Sequence, residues 1–143
     1  MEKRNLGNIG TKVGALGIGA MSFSDFYGPT NTQESHAILK LALDSGVDHI
    51  DTAKVYGMGL SEERIGQFLN TLSPKDRQFF KLATKGGIDR KNFDDKGTVV
   101  FDNSKKFLTE ELDNSLRRLG VDCVELYYVH RREADRSIEE VTE

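Results

Sequence analysis

Four polar side chains in this sequence have the types and spacing for acid–base chemistry on a carbonyl group. Asp51 ends a short stretch of alternating apolar and polar residues, Tyr56 lies five positions later, and Lys85 and His130 each follow an apolar stretch. A phenol is a weak acid, with a pKa of about 10, and a nearby cation favours the phenolate. Lys85 could supply that cation, Asp51 its counter-ion, and His130 a hydrogen bond to a carbonyl oxygen. Such a set suits carbonyl protonation coupled to hydride delivery.

Each of these residues also has a purely structural interpretation. Asp51 could form an Asx turn, Tyr56 could be a core aromatic with its hydroxyl at the rim, and Lys85 could be a solvated charge. A single polar residue after a strand is more often a turn residue than a catalyst, whereas four together are harder to explain in that way. From the residues alone, both interpretations stay open.

The hydrophobic pattern predicts strands that alternate with helices. The chain opens with a small hairpin in the first 15 residues, and four strands are predicted at 13–19, 47–50, 79–83 and 121–129. The helices between them run from a Thr30/Gln33 capping box to Gly46, from Ser61 to a point before Pro74, and from Ser104 to Gly120. A loop is predicted from Gly86 to Phe101, and a last helix opens at a Ser137/Glu140 capping box after the fourth strand. This alternation indicates βαβ units and a parallel sheet with helices outside it.

Two closures of such a sheet are possible: an open doubly wound sheet or part of a (β/α)8 barrel. A complete barrel needs about 250 residues, so 143 residues with four strands correspond to about half of one. The last predicted helix has only begun at Glu143, which favours a fragment. In a parallel sheet the carboxyl ends of the strands share one edge, and in a barrel that face carries the active site. We therefore expect Asp51, Tyr56, Lys85 and His130 to converge.

Composition limits the partners and the compartment. Subtracting 23 acidic from 20 basic residues leaves a net charge of −3, which gives no broad positive field for nucleic acid or anionic lipid. No segment approaches the roughly 20 apolar residues of a membrane helix, and the N-terminus lacks a signal-peptide pattern. The single cysteine, Cys123, lies in an apolar stretch that predicts burial, and it cannot form an internal disulfide. These observations favour the cytoplasm.

Two other kinds of site are disfavoured by spacing. The segment Gly17-Ile18-Gly19 could begin a dinucleotide-binding glycine loop, but Ser22 occupies the position of the third glycine. The histidines and Cys123 show no metal-ligand spacing, so we expect no metal site.

Several motifs together resemble the aldo-keto reductases, a family of NADPH-dependent (β/α)8-barrel carbonyl reductases. The matching segments are DTAKVYG at 51–57 followed by Gly59, Ser61, Glu62, Ile65 and Gly66, LATK at 82–85, LYYVHR at 126–131, RNLG at 4–7 and LGIGAM at 16–21. The resemblance covers essentially the whole chain. It implies that residues 1–143 are the N-terminal half of such a domain: an α/β barrel fragment with about four βα units after an N-terminal β-hairpin.

The resemblance also implies roles for individual residues. Tyr56 matches the general acid, Lys85 the cation that assists it, Asp51 the partner of that lysine, and His130 the residue that orients the carbonyl. Ala20 and Met21, together with Asp51, match positions near the nicotinamide ribose of NADPH. Phe26 and Tyr27, after the first strand, are expected to line the substrate pocket.

The family's later strands hold most of the cofactor, and they have no counterpart before Glu143. The resemblance therefore implies a reductase of small aldehydes or ketones whose site is incomplete in this chain. The alternative is a non-catalytic truncated barrel that acts as a binding or subunit-like module. The edges of a half-barrel also predict self-association into a homo-oligomer. The substrate is not determined, because selectivity in the family comes largely from loops outside this chain.

Overall fold

A four-stranded parallel sheet forms the centre of the molecule, with the strand order β3-β4-β5-β8. Its strands are β3 (Gly17–Gly19), β4 (His49–Asp51), β5 (Lys81–Gly86) and β8 (Leu126–Val129). All three neighbouring pairs are parallel. The computed structural model describes residues 1–8, 10–93 and 98–142. The predicted α/β architecture is therefore confirmed.

Helices connect the parallel strands, and two small antiparallel hairpins accompany them. The helices are α1 (Thr32–Ser45), α2 (Leu60–Leu69), α3 (Pro74–Arg77), α4 (Lys105–Leu119) and α5 (Ile138–Thr142), with 3-10 segments at Ala20–Ser24 and Tyr56–Gly59. One hairpin pairs β1 (Lys3–Asn5) with β2 (Lys12–Gly14), and the other pairs β6 (Ile88–Phe93) with β7 (Val99–Phe101). No helix among the described residues is long and apolar enough to cross a membrane.

The hydrophobic core lies between the parallel sheet and helices α1, α2 and α4. Its fully buried members include Leu39, Ile50, Ile65, Leu69 and Leu119. Helices α2 and α4 pack closely at Gly66, where a Cβ atom would collide with the backbone carbonyl of residue 118 on α4. A glycine at this position lets the two helices approach each other and brings α4 against the base of the sheet.

The predicted first strand, Val13 to Gly19, is two strands in the structure. Lys12–Gly14 pairs with β1 in the hairpin, whereas Gly17–Gly19 pairs with β4 in the parallel sheet. One continuous strand cannot join both ladders, so the chain turns between them at Ala15 and Leu16. Asp48 fastens the hairpin to the sheet by accepting hydrogen bonds from Gly14 N at 2.6 Å and from Lys3 Nζ. Burial alone would raise the pKa of Asp48, but these bonds and the Lys3 charge hold it below the usual range.

Three helix ends were predicted with different accuracy. The box that opens α1 is Asn31/Glu34, not Thr30/Gln33: Glu34 N donates to Asn31 Oδ1 at 2.9 Å, and Asn31 N donates to Glu34 Oε2 at 3.2 Å. Asn is as favourable an N-cap residue as Ser or Thr, so a capping-box pattern limited to Ser and Thr does not find it. Pro74 does not directly end α2; it opens the short α3, a position that its fixed φ favours. The Ser137/Glu140 box is confirmed.

The region around Cys123 differs most from its prediction. Strand β8 is only Leu126–Val129, and Cys123 is exposed rather than buried. Val121 N donates back to Leu116 O at the end of α4, and pairing with β5 begins only where Glu125 N donates to Leu82 O. The apolar residues before Glu125 therefore form a connection instead of a buried strand.

The predicted loop from Gly86 to Phe101 contains the β6–β7 hairpin, with residues 94–97 outside the described residues. Its sequence is polar and carries no strong period-two pattern, which is why the strands were missed. The hairpin follows β5 directly and lies beside the sheet edge that carries the candidate residues.

A buried ionic pair joins α2 to α4 beneath that edge. Glu62 is fully buried and accepts hydrogen bonds from Arg118 Nε at 2.7 Å and Thr84 Oγ1 at 2.6 Å. Thr84 immediately precedes Lys85 in β5. This pair connects the two helices to the strand position next to a candidate catalytic residue.

Replacing Arg118 by methionine should destabilise the chain strongly. The change keeps much of the side-chain volume but leaves the Glu62 carboxylate buried without a cation, at an expected cost of about 3 kcal/mol. Arg117→Met is the matched control, because Arg117 is exposed and bonds only to Asn114 on its own helix. It should change the free energy of unfolding by less than about 0.5 kcal/mol. Denaturant unfolding measures both, and equal effects would contradict the structural role given to the pair.

The two edges of the parallel sheet should promote self-association. Strands β3 and β8 each have one neighbour among the described strands, and Tyr128 and Val129 at the β8 edge are 40% and 38% exposed. Unpaired strand edges with exposed apolar side chains tend to pair with other chains. Sedimentation velocity should therefore show species larger than the 16.0 kDa monomer. Val129→Lys should shift the distribution of species towards the monomer.

The control for that substitution is Ile138→Lys, because Ile138 is 61% exposed on helix α5 and belongs to no strand of the sheet. It should leave the sedimentation profile unchanged. A monodisperse, cooperatively unfolding monomer that binds no hydrophobic dye would refute the prediction.

Candidate active site

The carboxyl edge of the parallel sheet brings the four predicted residues together. Asp51 is the last residue of β4, Lys85 is the next-to-last residue of β5, and His130 directly follows β8. Tyr56 opens the 3-10 segment that follows β4. Strand register explains the convergence, because neighbouring parallel strands end at similar heights.

Lys85 is the centre of this group. Its ammonium donates to Asp51 Oδ1, to the backbone carbonyl of Thr52 at 2.9 Å and to the Tyr56 hydroxyl at 3.2 Å. Three acceptors use all three donors of an ammonium group. The side chain of Lys85 is only 14% exposed, and that of Asp51 is 33% exposed. The cation is therefore largely desolvated, paired with a carboxylate and held directly against the phenol.

The backbone after Tyr56 is unusual and needs a glycine. Gly57 has a φ of 63°, and Met58 also adopts the left-handed region with a φ of 56°. A Cβ atom on Gly57 would lie 2.8 Å from Ser24 Cβ and 2.9 Å from Leu60 Cβ. The tyrosine therefore sits on a tight turn against the segment after β3. The left-handed non-glycine residue Met58 adds local strain of the kind found near functional sites.

A second ionic pair fixes the position of the turn that carries Tyr56 relative to strand β5, which carries Lys85. Lys54, which lies between Asp51 and Tyr56, forms an ion pair with Glu111 Oε1 at 2.6 Å, and both side chains are largely buried. The other oxygen of Glu111 accepts a hydrogen bond from Gly87 N at 3.1 Å, just beyond Lys85. One carboxylate on α4 thus contacts both segments that carry the Tyr56–Lys85 pair. Sequence reasoning missed this residue, because nothing in the local pattern of α4 distinguishes Glu111 from other helix acids.

His130 completes the group from β8. Its backbone N donates to Gly86 O at 2.8 Å, and its ring lies edge-on to Tyr56 with centroids 5.8 Å apart. Its Nδ1 atom is buried and has no hydrogen-bond partner within the described part of the chain. Burial, followed by the positive charges of Lys85 and Arg131, lowers the pKa of His130, and Asp51 opposes the shift. The imidazole is therefore neutral at pH 7.

A cleft of about 400 Å³ opens above Tyr56 and His130. The residues that line it are Met21, Ser24, Phe26, Val55, Tyr56, Gly57, Met58, Ile88, Arg90, His130 and Arg131. Phe26 lies in this lining as expected. Tyr27 does not; it lines a separate groove beside α1, although its ring contacts that of Phe26 edge-on at 5.1 Å. Ile88 and Arg90 also line the cleft, although the sequence predicts a loop where they form strand β6. Met58 reaches it from the turn that carries Tyr56, and its local pattern does not distinguish it.

The three residues expected near the cofactor are placed differently from one another. Met21 lines the cleft, and the carboxylate of Asp51 is partly exposed beside Tyr56. Ala20 is fully buried, and its carbonyl accepts a hydrogen bond from Ser61 Oγ at 2.8 Å, so it lies behind the cleft wall. No group of three or more His, Cys, Asp or Glu residues suited to a metal occurs among the residues that the structure describes.

Comparison with known proteins assigns the arrangement to a family. The profile of the aldo/keto reductase family matches residues 15–143. The chain belongs to this family. An NADP(+)-named aldo-keto reductase of Schizosaccharomyces pombe is 36% identical over 138 residues, which are 96% of this chain and 39% of that protein. A probable voltage-gated potassium channel subunit beta of Arabidopsis thaliana is 35% identical over 140 residues, 98% of this chain and 40% of the relative.

Solved structures of aldo-keto reductases share the fold. The holo form of such an enzyme from Bacillus halodurans superposes with a TM-score of 0.81 at 34% identity, covering 99% of this chain and 44% of that one. A glycerol dehydrogenase from Gluconobacter oxydans gives a TM-score of 0.79 at 28% identity, covering 97% and 42%. This aldo/keto reductase chain thus spans less than half the length of these relatives. Its four parallel strands are the first part of a (β/α)8 barrel, as predicted.

Titration of His130 should show the electrostatics of the site directly. In this aldo/keto reductase chain the pKa of His130 should lie below 6.5, as read from the imidazole proton shifts by NMR. Lys85→Met and Arg131→Gln should each raise it by removing positive charge, whereas Asp51→Asn should lower it further. If Lys85→Met lowered the pKa, the ammonium could not lie where the structure places it.

The same shift has a consequence for folding. The pKa of His130 is lower in the folded chain than in the unfolded one, so the unfolded state takes up the proton first as pH falls below about 6.5. The contribution of a neutral His130 to stability is therefore present above that pH and is lost as pH falls through the folded-state pKa. His130→Gln should remove this part of the acid destabilisation.

Proposed function

We propose that this chain carries the acid–base machinery of an NADPH-dependent reduction of aldehydes or ketones to alcohols. One observation carries the proposal: the largely desolvated ammonium of Lys85 contacts the Asp51 carboxylate and the Tyr56 hydroxyl at the same time. Family membership supports it, since relatives of this chain are named as reductases. The chain spans about two fifths of those relatives, so the activity is a proposal for the protein that contains the whole barrel.

Each residue has a definite task in this reaction. Tyr56 donates its hydroxyl proton to the carbonyl oxygen as the carbonyl carbon accepts a hydride. The Lys85 ammonium stabilises the phenolate that remains, and the Asp51 carboxylate pairs with the ammonium and orients it. His130, which is neutral, donates a hydrogen bond to the same carbonyl oxygen without competing as an acid. The alcohol product has then gained a hydride on carbon and a proton on oxygen.

The cofactor we propose is NADPH, which supplies the hydride when bound. The residues present fit its nicotinamide end: Met21 offers an apolar wall in the cleft, and Asp51 offers a partly exposed carboxylate for the ribose. Ala20 contributes through the backbone that positions Met21. The NADP(+) in the name of the Schizosaccharomyces pombe relative supports this choice. We assign no described residue to the adenosine end.

We also propose that the protein acts in the cytoplasm. An exposed lone thiol such as Cys123 suits a reducing compartment, where it stays free of disulfide exchange. The proposed partners are a small carbonyl substrate and, through the β3 and β8 edges, a second copy of the chain; nucleic acid and membranes are not among them.

A second function, that of a non-catalytic subunit or binding module, has one observation in its favour. The chain is 34% and 35% identical to proteins named as probable voltage-gated potassium channel beta subunits, from Oryza sativa and Arabidopsis thaliana. In that case the same barrel surface would serve binding rather than turnover. Aldehyde-dependent oxidation of NADPH separates the two functions, because only the reductase consumes both reactants in equal amounts.

Tyr56→Phe should reduce carbonyl reduction by at least about 100-fold, because it removes the proton donor but keeps the ring. The measurement is NADPH oxidation with an aromatic aldehyde, in the protein that contains the complete barrel. Cofactor affinity should change little.

Tyr128→Phe is the matched control for this measurement. The Tyr128 ring lies 5.9 Å from Lys85 Nζ, but its hydroxyl forms no hydrogen bond with that ammonium. Loss of the Tyr128 hydroxyl should reduce carbonyl reduction by less than about threefold. Equal losses in the two variants, or near wild-type turnover by Tyr56→Phe, would refute the role assigned to Tyr56.

A further inference from the structure

Two guanidinium groups share the cleft with the proposed proton donor. Arg90 lies on β6 and Arg131 directly follows His130, and both line the cleft that contains Tyr56. Side chains alternate between the two faces of a strand, so Ile88 and Arg90 share one face. Both line this cleft, whereas Asp89 between them lines a different cavity beside α4. Strand geometry therefore directs Arg90 towards the reaction centre.

The position of Arg131 is fixed by its backbone. Its carbonyl accepts a hydrogen bond from Asn103 Nδ2 at 3.1 Å, and Asn103 is fully buried. Asn103 also accepts from Glu133 N at 2.7 Å, so the loop after β8 is fastened at two points. Arg131 is thus held beside His130 by a buried amide.

Neither guanidinium is neutralised within residues 1–8, 10–93 and 98–142. The ion pairs of the described chain engage other residues, and none of its side-chain hydrogen bonds involves either guanidinium; the bond from Asn103 reaches only the backbone carbonyl of Arg131. The lining of the cleft contains no Asp or Glu, and the nearby Asp51 is paired with Lys85. The whole chain carries a net charge of −3, so this concentration of positive charge is local. Both arginines are exposed to solvent, and two cations without an acidic partner among the described residues of one cleft favour an anion there.

The remaining wall is apolar, which suits the carbon skeleton of an organic molecule. Met21, Phe26, Val55, Met58 and Ile88 line the same cleft as Tyr56. We infer that the substrates of this site are carbonyl compounds with a carboxylate, whose charge binds Arg90 and Arg131 while the carbonyl oxygen lies against Tyr56 and His130. The inference rests on the proposed function, and it specifies the substrate class. A phosphate of the cofactor is the other possible source of negative charge, so the experiment must separate the two.

Binding of stable alcohol products tests the inference without turnover. The probes are 4-(hydroxymethyl)benzoate and its uncharged isostere 4-(hydroxymethyl)benzamide, titrated into the 143-residue chain while backbone amide shifts of Tyr56 and His130 are followed by NMR. The benzoate should bind about threefold to tenfold more tightly, the range expected for partly exposed charge pairs. Added salt should weaken the binding of the benzoate and leave the binding of the benzamide unchanged.

Three variants identify the responsible charges. Arg90→Gln and Arg131→Gln should each reduce the preference for benzoate, and the double variant should abolish it. Arg132→Gln is the matched control: it removes the same charge from the adjacent residue, which is exposed and does not line the cleft. It should keep the preference.

The outcomes are distinguishable. Equal affinity for the two probes, no shifts at Tyr56 and His130 with the benzoate, or a preference that survives the double variant would overturn the inference. An NADPH titration of the same variants tests whether the arginines bind a cofactor phosphate instead. If the substitutions weaken NADPH binding and leave benzoate binding unchanged, the arginines bind cofactor phosphate and the substrate assignment is wrong. Failure of the Tyr56→Phe test with an intact benzoate preference would instead refute the proposed reduction and leave anion binding in place.

Discussion

The contacts of the largely desolvated Lys85 ammonium are the interaction on which the rest of the site depends. Removing a cation from water costs on the order of several kcal/mol, and the cost is offset only by a nearby opposite charge and satisfied hydrogen bonds. Asp51, the carbonyl of Thr52 and the hydroxyl of Tyr56 supply these. The ends of strands β4 and β5 and one turn must therefore be held at fixed positions around a single nitrogen atom.

Two further carboxylates, both on helices, hold those positions. Glu62 binds Arg118 and the Thr84 hydroxyl next to Lys85, and Glu111 binds Lys54 and Gly87 N on the two sides of the Tyr56–Lys85 pair. Both acids are buried, so each bond forms in a medium where electrostatic interactions are strong and an unpaired partner would be costly. The helices α2 and α4 thus stabilise the fold and also set the geometry of the sheet edge.

Charge is distributed unevenly around the reaction centre. Lys85 and Arg131 both lower the pKa of His130, in addition to its burial, and keep the imidazole neutral. A neutral imidazole can donate a hydrogen bond to a carbonyl oxygen while the phenol remains the acid. The same positive surroundings favour an anionic group in the cleft. One electrostatic environment therefore bears both on the reaction and on the choice of ligand.

The sequence by itself determined which four polar residues are candidates for acid–base chemistry and that strands alternate with helices. Asp51, Tyr56, Lys85 and His130 lie at or just after the ends of strands that hydrophobic periodicity detects, and a parallel sheet must bring such positions to one edge. Motif spacing was likewise sufficient to indicate the family that the comparison shows. These features are local, so one-dimensional patterns contain them.

Only the tertiary structure decided which polar groups surround those four side chains. Glu111, Arg90 and the Thr52 carbonyl are ordinary in sequence, and they matter because distant segments meet there. The split of the first strand at Ala15 and the exposure of Cys123 have the same origin: pairing with a second ladder or the absence of a covering layer overrides local pattern. Burial and partnership depend on contacts between residues far apart in the chain, and periodicity contains no information about them.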